Sequence, residues 1–117
     1  MMNEESNVLA IDFDGVIIRE GSGFTRERLE NRPVSGSILA IEKLKAEGWK
    51  IVIHSCRARD PEGKAQIINW LTRFGLYDKN LEITSQKPWA KYYIDDRAIE
   101  FVNWDSVMKR LCNESEG

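Results

Sequence analysis

Val8-Leu9-Ala10-Ile11-Asp12-Phe13-Asp14-Gly15-Val16 is a short apolar run that passes into two aspartates and a glycine. Asn7 to Ile11 reads as a fully buried strand, because it is a short apolar run bounded by polar and glycine signals. Charge at the end of a buried strand is costly unless it coordinates a metal or performs chemistry. Residues i and i+2 of an extended chain also point the same way. Asp12 and Asp14 are therefore candidates for a carboxylate nucleophile and a partner that handles protons. The same pair after a strand is often a turn former or a cap, so the catalytic reading needs company elsewhere in the chain.

That company begins with the elements that follow. Ser35 to Glu47 carries Ile38, Leu39, Ile41 and Leu44 at roughly helical spacing, with Gly48 where a helix would end. A β-branched run, Trp49 to His54, then delivers the polar cluster Ser55-Cys56-Arg57-Ala58-Arg59. Asp60-Pro61-Glu62 supplies an N-cap, a first-turn proline and a first-turn acid for a helix carried by Ile67, Ile68, Leu71 and Phe74 to Gly75. Leu81 to Thr84 reads as a short third strand, Lys87-Pro88 interrupts the chain, and Lys91 to Ile94 reads as a fourth strand ending in Asp95-Asp96. A brief extended piece, Ala98 to Phe101, and a last helix over Asp105 to Cys112 complete the pattern.

Strands alternating with helices predict right-handed crossovers and a parallel sheet covered on both faces. The expected fold is thus α/β, a Rossmann-like three-layer sandwich with a central, mainly parallel sheet. At 117 residues the chain should form one domain without a substantial cap. Residues 16–33, with Gly21, Gly23 and the charged stretch Arg26-Glu27-Arg28-Leu29-Glu30, are expected to be a flap or excursion outside the sheet. Residues 113–117 are expected to form a flexible polar tail.

Composition narrows the function classes. A formal net charge of -2 from interspersed charges carries no long basic tract, which argues against nucleic acid or anionic lipid as a partner. No apolar run approaches the ~20 residues that span a bilayer. With two cysteines, Cys56 and Cys112, and no basic leader followed by an apolar segment, the chain reads as cytoplasmic. No Cys/His pair has zinc-ligand spacing, so any metal should be held by oxygen.

In a parallel sheet the strand ends share one rim, where ligands bind. Asp12, Asp14, Ser55, Asp95 and Asp96 would gather there, with Lys87 in the loop before the last pair. Four crowded carboxylates call for a hard cation, and oxygen-only ligands suit Mg²⁺, which favours substrate phosphate oxygens. A phosphoester site follows from that chemistry. Bland readings stand beside each residue: Ser55 as a turn or capping serine, Lys87 as a solvated lysine, Asp95-Asp96 as a helix cap. Arg57 and Arg59 either reach a substrate phosphate or pair with surface acids. His54 is expected to be a partly buried structural residue, and Cys56 a small packing residue rather than a nucleophile. The four tryptophans, Trp49, Trp70, Trp89 and Trp104, are expected to pack in the core or at its rim, with Trp89 placed to line a substrate mouth.

Taken in order, Asp12-Phe13-Asp14-Gly15-Val16, Ile51-Val52-Ile53-His54-Ser55, Lys87-Pro88 and Ile94-Asp95-Asp96 resemble the four motifs of the haloacid dehalogenase-like superfamily, in its small capless phosphatase-type form. The resemblance runs from about Val8 to Leu111. It implies that Asp12 is the nucleophile of an aspartyl-phosphate intermediate and that Asp14 is the general acid/base. It further implies that Ser55 donates to a phosphoryl oxygen and that Lys87 neutralises the transferring group. Mg²⁺ would be held by Asp12, the Asp14 backbone carbonyl and Asp96, with Asp95 nearby or bound through water.

Two function classes follow: a phosphomonoester hydrolase acting on a small phosphorylated metabolite or nucleotide, or a phosphate- and metal-binding regulatory module with little turnover. A phosphorylated nucleic-acid end, as handled by the related polynucleotide 3′-phosphatases, remains among the substrate alternatives. Without a cap, specificity must come from the 16–33 flap, from Arg57 and Arg59, or from a partner subunit, and a homodimer is expected as a means of shielding the open site.

Overall fold

The computed structural model describes residues 7–19, 29–86, 88, 90–95, 99–100 and 103–116. Its sheet is built on the quoted apolar run. β1 (Val8–Asp12) lies between β2 (Lys50–His54) and β4 (Tyr92–Asp95), with β3 (Glu82–Thr84) beyond β2 and β5 (Ile99–Glu100) beyond β4. The strand order is β3-β2-β1-β4-β5 and every pairing is parallel. A strand flanked on both sides and covered on both faces needs apolar residues at every position. That explains why β1 reads as a continuous run rather than an alternation. The fold is α/β and Rossmann-like, with no substantial cap among the described residues.

Among the described residues three α-helices accompany the sheet. α1 (Ser37–Ala46) buries Ala40, Ile41 and Leu44, whereas Leu39, counted with the apolar stripe in the sequence, is 75% exposed. α2 (Pro61–Arg73) starts as its sequence demands: the Asp60 carboxylate accepts from the Gly63 N–H at 2.7 Å, and Pro61 occupies the first turn, where no N–H is needed. α3 (Trp104–Glu116) buries Trp104, Val107 and Leu111. It continues past the expected end at Cys112 through most of the stretch expected to be a tail.

The register explains where the core sits. Leu9 and Ile11 pair with Ile51 and Ile53, Ile53 with Ile83, and Ile11 with Ile94, so these side chains share one sheet face. All of them join one cluster with residues from all three helices. On the opposite face Val8, Ala10 and Val52 meet Ala90 and Tyr93. Here, among the described residues, the covering layer is chain around Pro88 and Ala90 rather than a helix. The Tyr93 hydroxyl holds it by donating to the Pro88 carbonyl at 2.6 Å and accepting from the Ala90 N–H at 3.1 Å. No helix among the described residues is long and apolar enough to cross a membrane.

Of the excursion expected over residues 16–33, residues 16–19 and 29–33 are described; they lie outside the strands of the sheet and are anchored in the core. Val16, Ile17, Ile18 and Leu29 are buried. Ile18 bridges Asp14 and Pro33, the Val34 N–H donates to the Ile17 carbonyl, and the Trp104 indole N–H donates to the Val16 carbonyl at 3.0 Å. The Ser37 hydroxyl, fully buried, donates to the Ile17 carbonyl at 3.0 Å. Apolar residues 16–18 continue the quoted run, and burial of their side chains anchors this end. Positions 20–28 lie outside the described residues.

Candidate active site

β1, β2 and β3 step outward in one direction from the centre of the sheet, and β4 and β5 step outward in the other. The reversal falls between β1 and β4, at whose carboxyl ends ligands of open α/β sheets bind. Asp12 is the last residue of β1, and the backbone of Asp95 closes β4 one step beyond the Ile11–Ile94 pair. Two aspartates therefore end adjacent strands at the point that topology favours for chemistry.

Beyond Asp12 the side chains divide. Phe13 is fully buried and meets Trp70 edge-on, with ring centroids 5.4 Å apart and planes at 88°. The Phe13 N–H donates to the His54 carbonyl at 3.0 Å, which extends the β1–β2 ladder by one bond. Gly15, at φ 82°, then turns the chain in a conformation that other residues rarely adopt. Asp12 and Asp14 remain at the rim, with side chains 35% and 40% exposed.

Both carboxylates are tied to the exit of β2. Asp12 Oδ1 lies 3.0 Å from His54 Nδ1. Asp14 is gripped from two sides: Ser55 Oγ donates to Oδ2 at 3.1 Å and Arg57 Nε donates to Oδ1 at 2.9 Å. Ser55 is 4% exposed, and its hydroxyl oxygen also accepts from the Arg57 N–H at 3.2 Å, capping a 3₁₀ turn over Cys56–Arg59. One short stretch of chain thus orients both aspartates. The donors that hold Asp14 are the hydroxyl and guanidinium types that bind phosphoryl oxygens.

Of the residues proposed from sequence, Asp12, Asp14, Ser55 and Arg57 come together. Lys87, Asp96 and the side chain of Asp95 lie outside the described residues, as does Trp89. Among the described residues no three His, Cys, Asp or Glu side chains cluster as a metal site. Trp70 and Trp104 are core residues, and Trp49 packs at its margin. Cys56 differs from expectation: it is exposed, because it opens a turn at the rim rather than filling the core. His54 is the residue that the sequence reading set aside. Its signal was the register, since a residue one strand over and level with Asp12 must share its sheet face.

No protein-family model and no curated relative matches the sequence. Among solved structures, a conserved protein from Bacteroides thetaiotaomicron superposes with a TM-score of 0.70 at 19% identity, covering 92% of this chain and 90% of that one. A D,D-heptose bisphosphate phosphatase from B. bronchiseptica, complexed with magnesium and phosphate, gives a TM-score of 0.46 at 18% identity, covering 95% of this chain and 64% of that one. The likeness to the Bacteroides protein shows that the two chains share a fold over nearly their whole length.

Proposed function

We propose that this chain is a Mg²⁺-dependent phosphomonoester hydrolase that works through an aspartyl-phosphate on Asp12. The observation that carries the reading is the pair of rim aspartates at the β1–β4 reversal, with Asp14 held by Ser55 and Arg57. An entering phosphate would exchange with the Asp14 carboxylate for those two donors, since a phosphate dianion accepts more strongly than a single carboxylate. Asp14 is thereby released toward the leaving oxygen.

In the first displacement an Asp12 carboxylate oxygen attacks phosphorus and the ester P–O bond breaks, with Asp14, protonated from solvent once Ser55 and Arg57 have turned to the phosphate, giving that proton to the departing alcohol. In the second, Asp14 takes a proton from water, the water oxygen attacks the aspartyl-phosphate, and Asp12 is regenerated as inorganic phosphate leaves. Lys87 is proposed to offset the charge of the transferring group. The donors that β1 brings to the rim, the Asp12 carboxylate and the Asp14 backbone carbonyl, are oxygens, the set a hard cation takes. Asp96, with Asp95 beside it, is proposed to complete the Mg²⁺ site, and the bound ion would supply charge stabilisation of the phosphoryl group.

The test is phosphate release from an aryl phosphate and a panel of nucleotides and sugar phosphates, with Mg²⁺ or with EDTA. Release should require Mg²⁺ and should fall at least about a thousand-fold in Asp12→Asn. Undiminished turnover in that variant would overturn the nucleophile assignment. Metal-dependent phosphate binding without release from any substrate would make the chain a binding module instead.

A further inference from the structure

Resting on the phosphatase reading, we propose that His54 is a positioning residue for the nucleophile: its imidazole fixes the rotation of the Asp12 carboxylate.

The contact is built by the fold. His54 and Asp12 are register partners at the carboxyl ends of β2 and β1, so their side chains leave the same sheet face at the same level. The Phe13 N–H bond to the His54 carbonyl, 3.0 Å long, pins the two backbones immediately beyond the pair. The side chains then close the gap, with Nδ1 and Oδ1 3.0 Å apart. His54 is 26% exposed and is the only histidine in the chain. An ionised carboxylate can only accept, so the Nδ1 proton is assigned to the imidazole from the chemistry of the pair.

A carboxylate at a strand end turns freely about its last bond unless something holds it. Nucleophilic attack in line with the departing oxygen needs one carboxylate oxygen aimed at phosphorus, and a misplacement of about 1 Å costs on the order of 100-fold in rate. With Oδ1 engaged by His54, Oδ2 is the attacking atom. Oδ1 has a second lone pair and can carry a further ligand without giving up the histidine. The imidazole touches neither the substrate nor a proton in flight, so its contribution should fall on kcat.

Two variants separate positioning from packing. His54→Phe keeps a ring of similar size without the donor, and His54→Asn offers an amide N–H close to where Nδ1 lies. Steady-state kinetics with Mg²⁺ and the best substrate of the panel should show kcat down about 10- to 100-fold in His54→Phe, with KM within about two-fold. His54→Asn should recover most of that loss. Equal loss in both variants, or turnover at the wild-type rate in His54→Phe, would overturn the proposal while leaving the phosphatase reading intact. Absence of any turnover by the wild type would instead overturn the phosphatase reading, and this role with it. A second measurement does not depend on how the His54 variants fold. Because there is one imidazole, its ¹⁵N resonances are unambiguous, and a proton held on Nδ1 in the wild type should be redistributed in Asp12→Ala, which removes the acceptor. Identical imidazole spectra in the two proteins would overturn the contact itself.

Discussion

Gly63 shows how closely the site depends on single atoms. A Cβ built at this position would lie 2.0 Å from the Arg57 carbonyl oxygen, a backbone atom that cannot swing aside. Only a hydrogen there lets the first turn of α2 press against the 3₁₀ turn that carries Arg57. Gly63→Ala should therefore cost about 1–3 kcal/mol, as overpacking does. It should also lower activity, because the displaced turn carries the guanidinium that holds Asp14. A urea titration alongside the phosphate assay checks both, and an unchanged midpoint would show that the turn yields without cost. Sequence reasoning found the Asp60-Pro61-Glu62 start of this helix but not the role of Gly63. Caps are local chemistry written in adjacent residues, whereas the approach of the Arg57 backbone depends on the shape of a turn that no side chain announces. For the same reason nothing in the sequence announces the hydrogen bond that Ser55 Oγ donates to Asp14.

Among the elements, α1 is tied to the loop that follows α2 by one lysine. Lys45 Nζ donates to the Leu76 carbonyl at 3.0 Å and pairs with the Asp78 carboxylate. The Lys45 hydrogen bond is the largest reason that the Asp78 carboxyl titrates below its ordinary value of 3.8. A carboxyl whose folded pKa is depressed adds stability above the unfolded value, and that stability is lost as pH falls through the folded one. Lys45→Met should thus be slightly less stable than wild type near neutral pH, by under about 1 kcal/mol for so exposed a pair. The gap between the two urea midpoints should narrow as pH falls below the ordinary carboxyl value of 3.8, and a gap independent of pH would assign the loss to packing instead. Elements of this kind were legible in proportion to their periodicity. β1, β2 and α2 carry unbroken apolar signals and end close to where the sequence places them. α3 runs beyond Cys112 because its last residues are polar and give no periodic mark, and Leu39 of α1 faces solvent because three neighbours already fill that helix's buried stripe.

For the molecule as a whole, Trp70 is where the layers meet. It is fully buried, edge-on to Phe13 beside the site, 4.5 Å from the Phe74 ring between centroids, and its indole N–H donates to the Asn31 carbonyl at 2.9 Å. Trp70→Ala should cost about 3–5 kcal/mol, a large part of a typical domain's ~5–15 kcal/mol. Trp70→Phe, which keeps most of the ring but orphans one carbonyl, should cost clearly less. Thermal unfolding of the two variants reads the difference, and equal losses would place the effect in the hydrogen bond rather than the ring. The α/β class and the order of strands and helices were legible because parallel crossovers impose them. The placement of all three helices on the core that contains Trp70 was not. That depends on the link between β3 and β4 being too short for a helix, so the other sheet face relies on Tyr93 and its neighbours. The strand order also has a consequence for the newborn protein. Translation delivers β1 before β2, but the partner for β1's other edge, Tyr92–Asp95, leaves the ribosome only after β2, α2 and β3 have been made. Until then the nascent polypeptide exposes an apolar strand with one side of its main chain unpaired. The interval in which it can pair with a neighbouring chain, and needs a chaperone to prevent it, is set by the time taken to synthesise everything between.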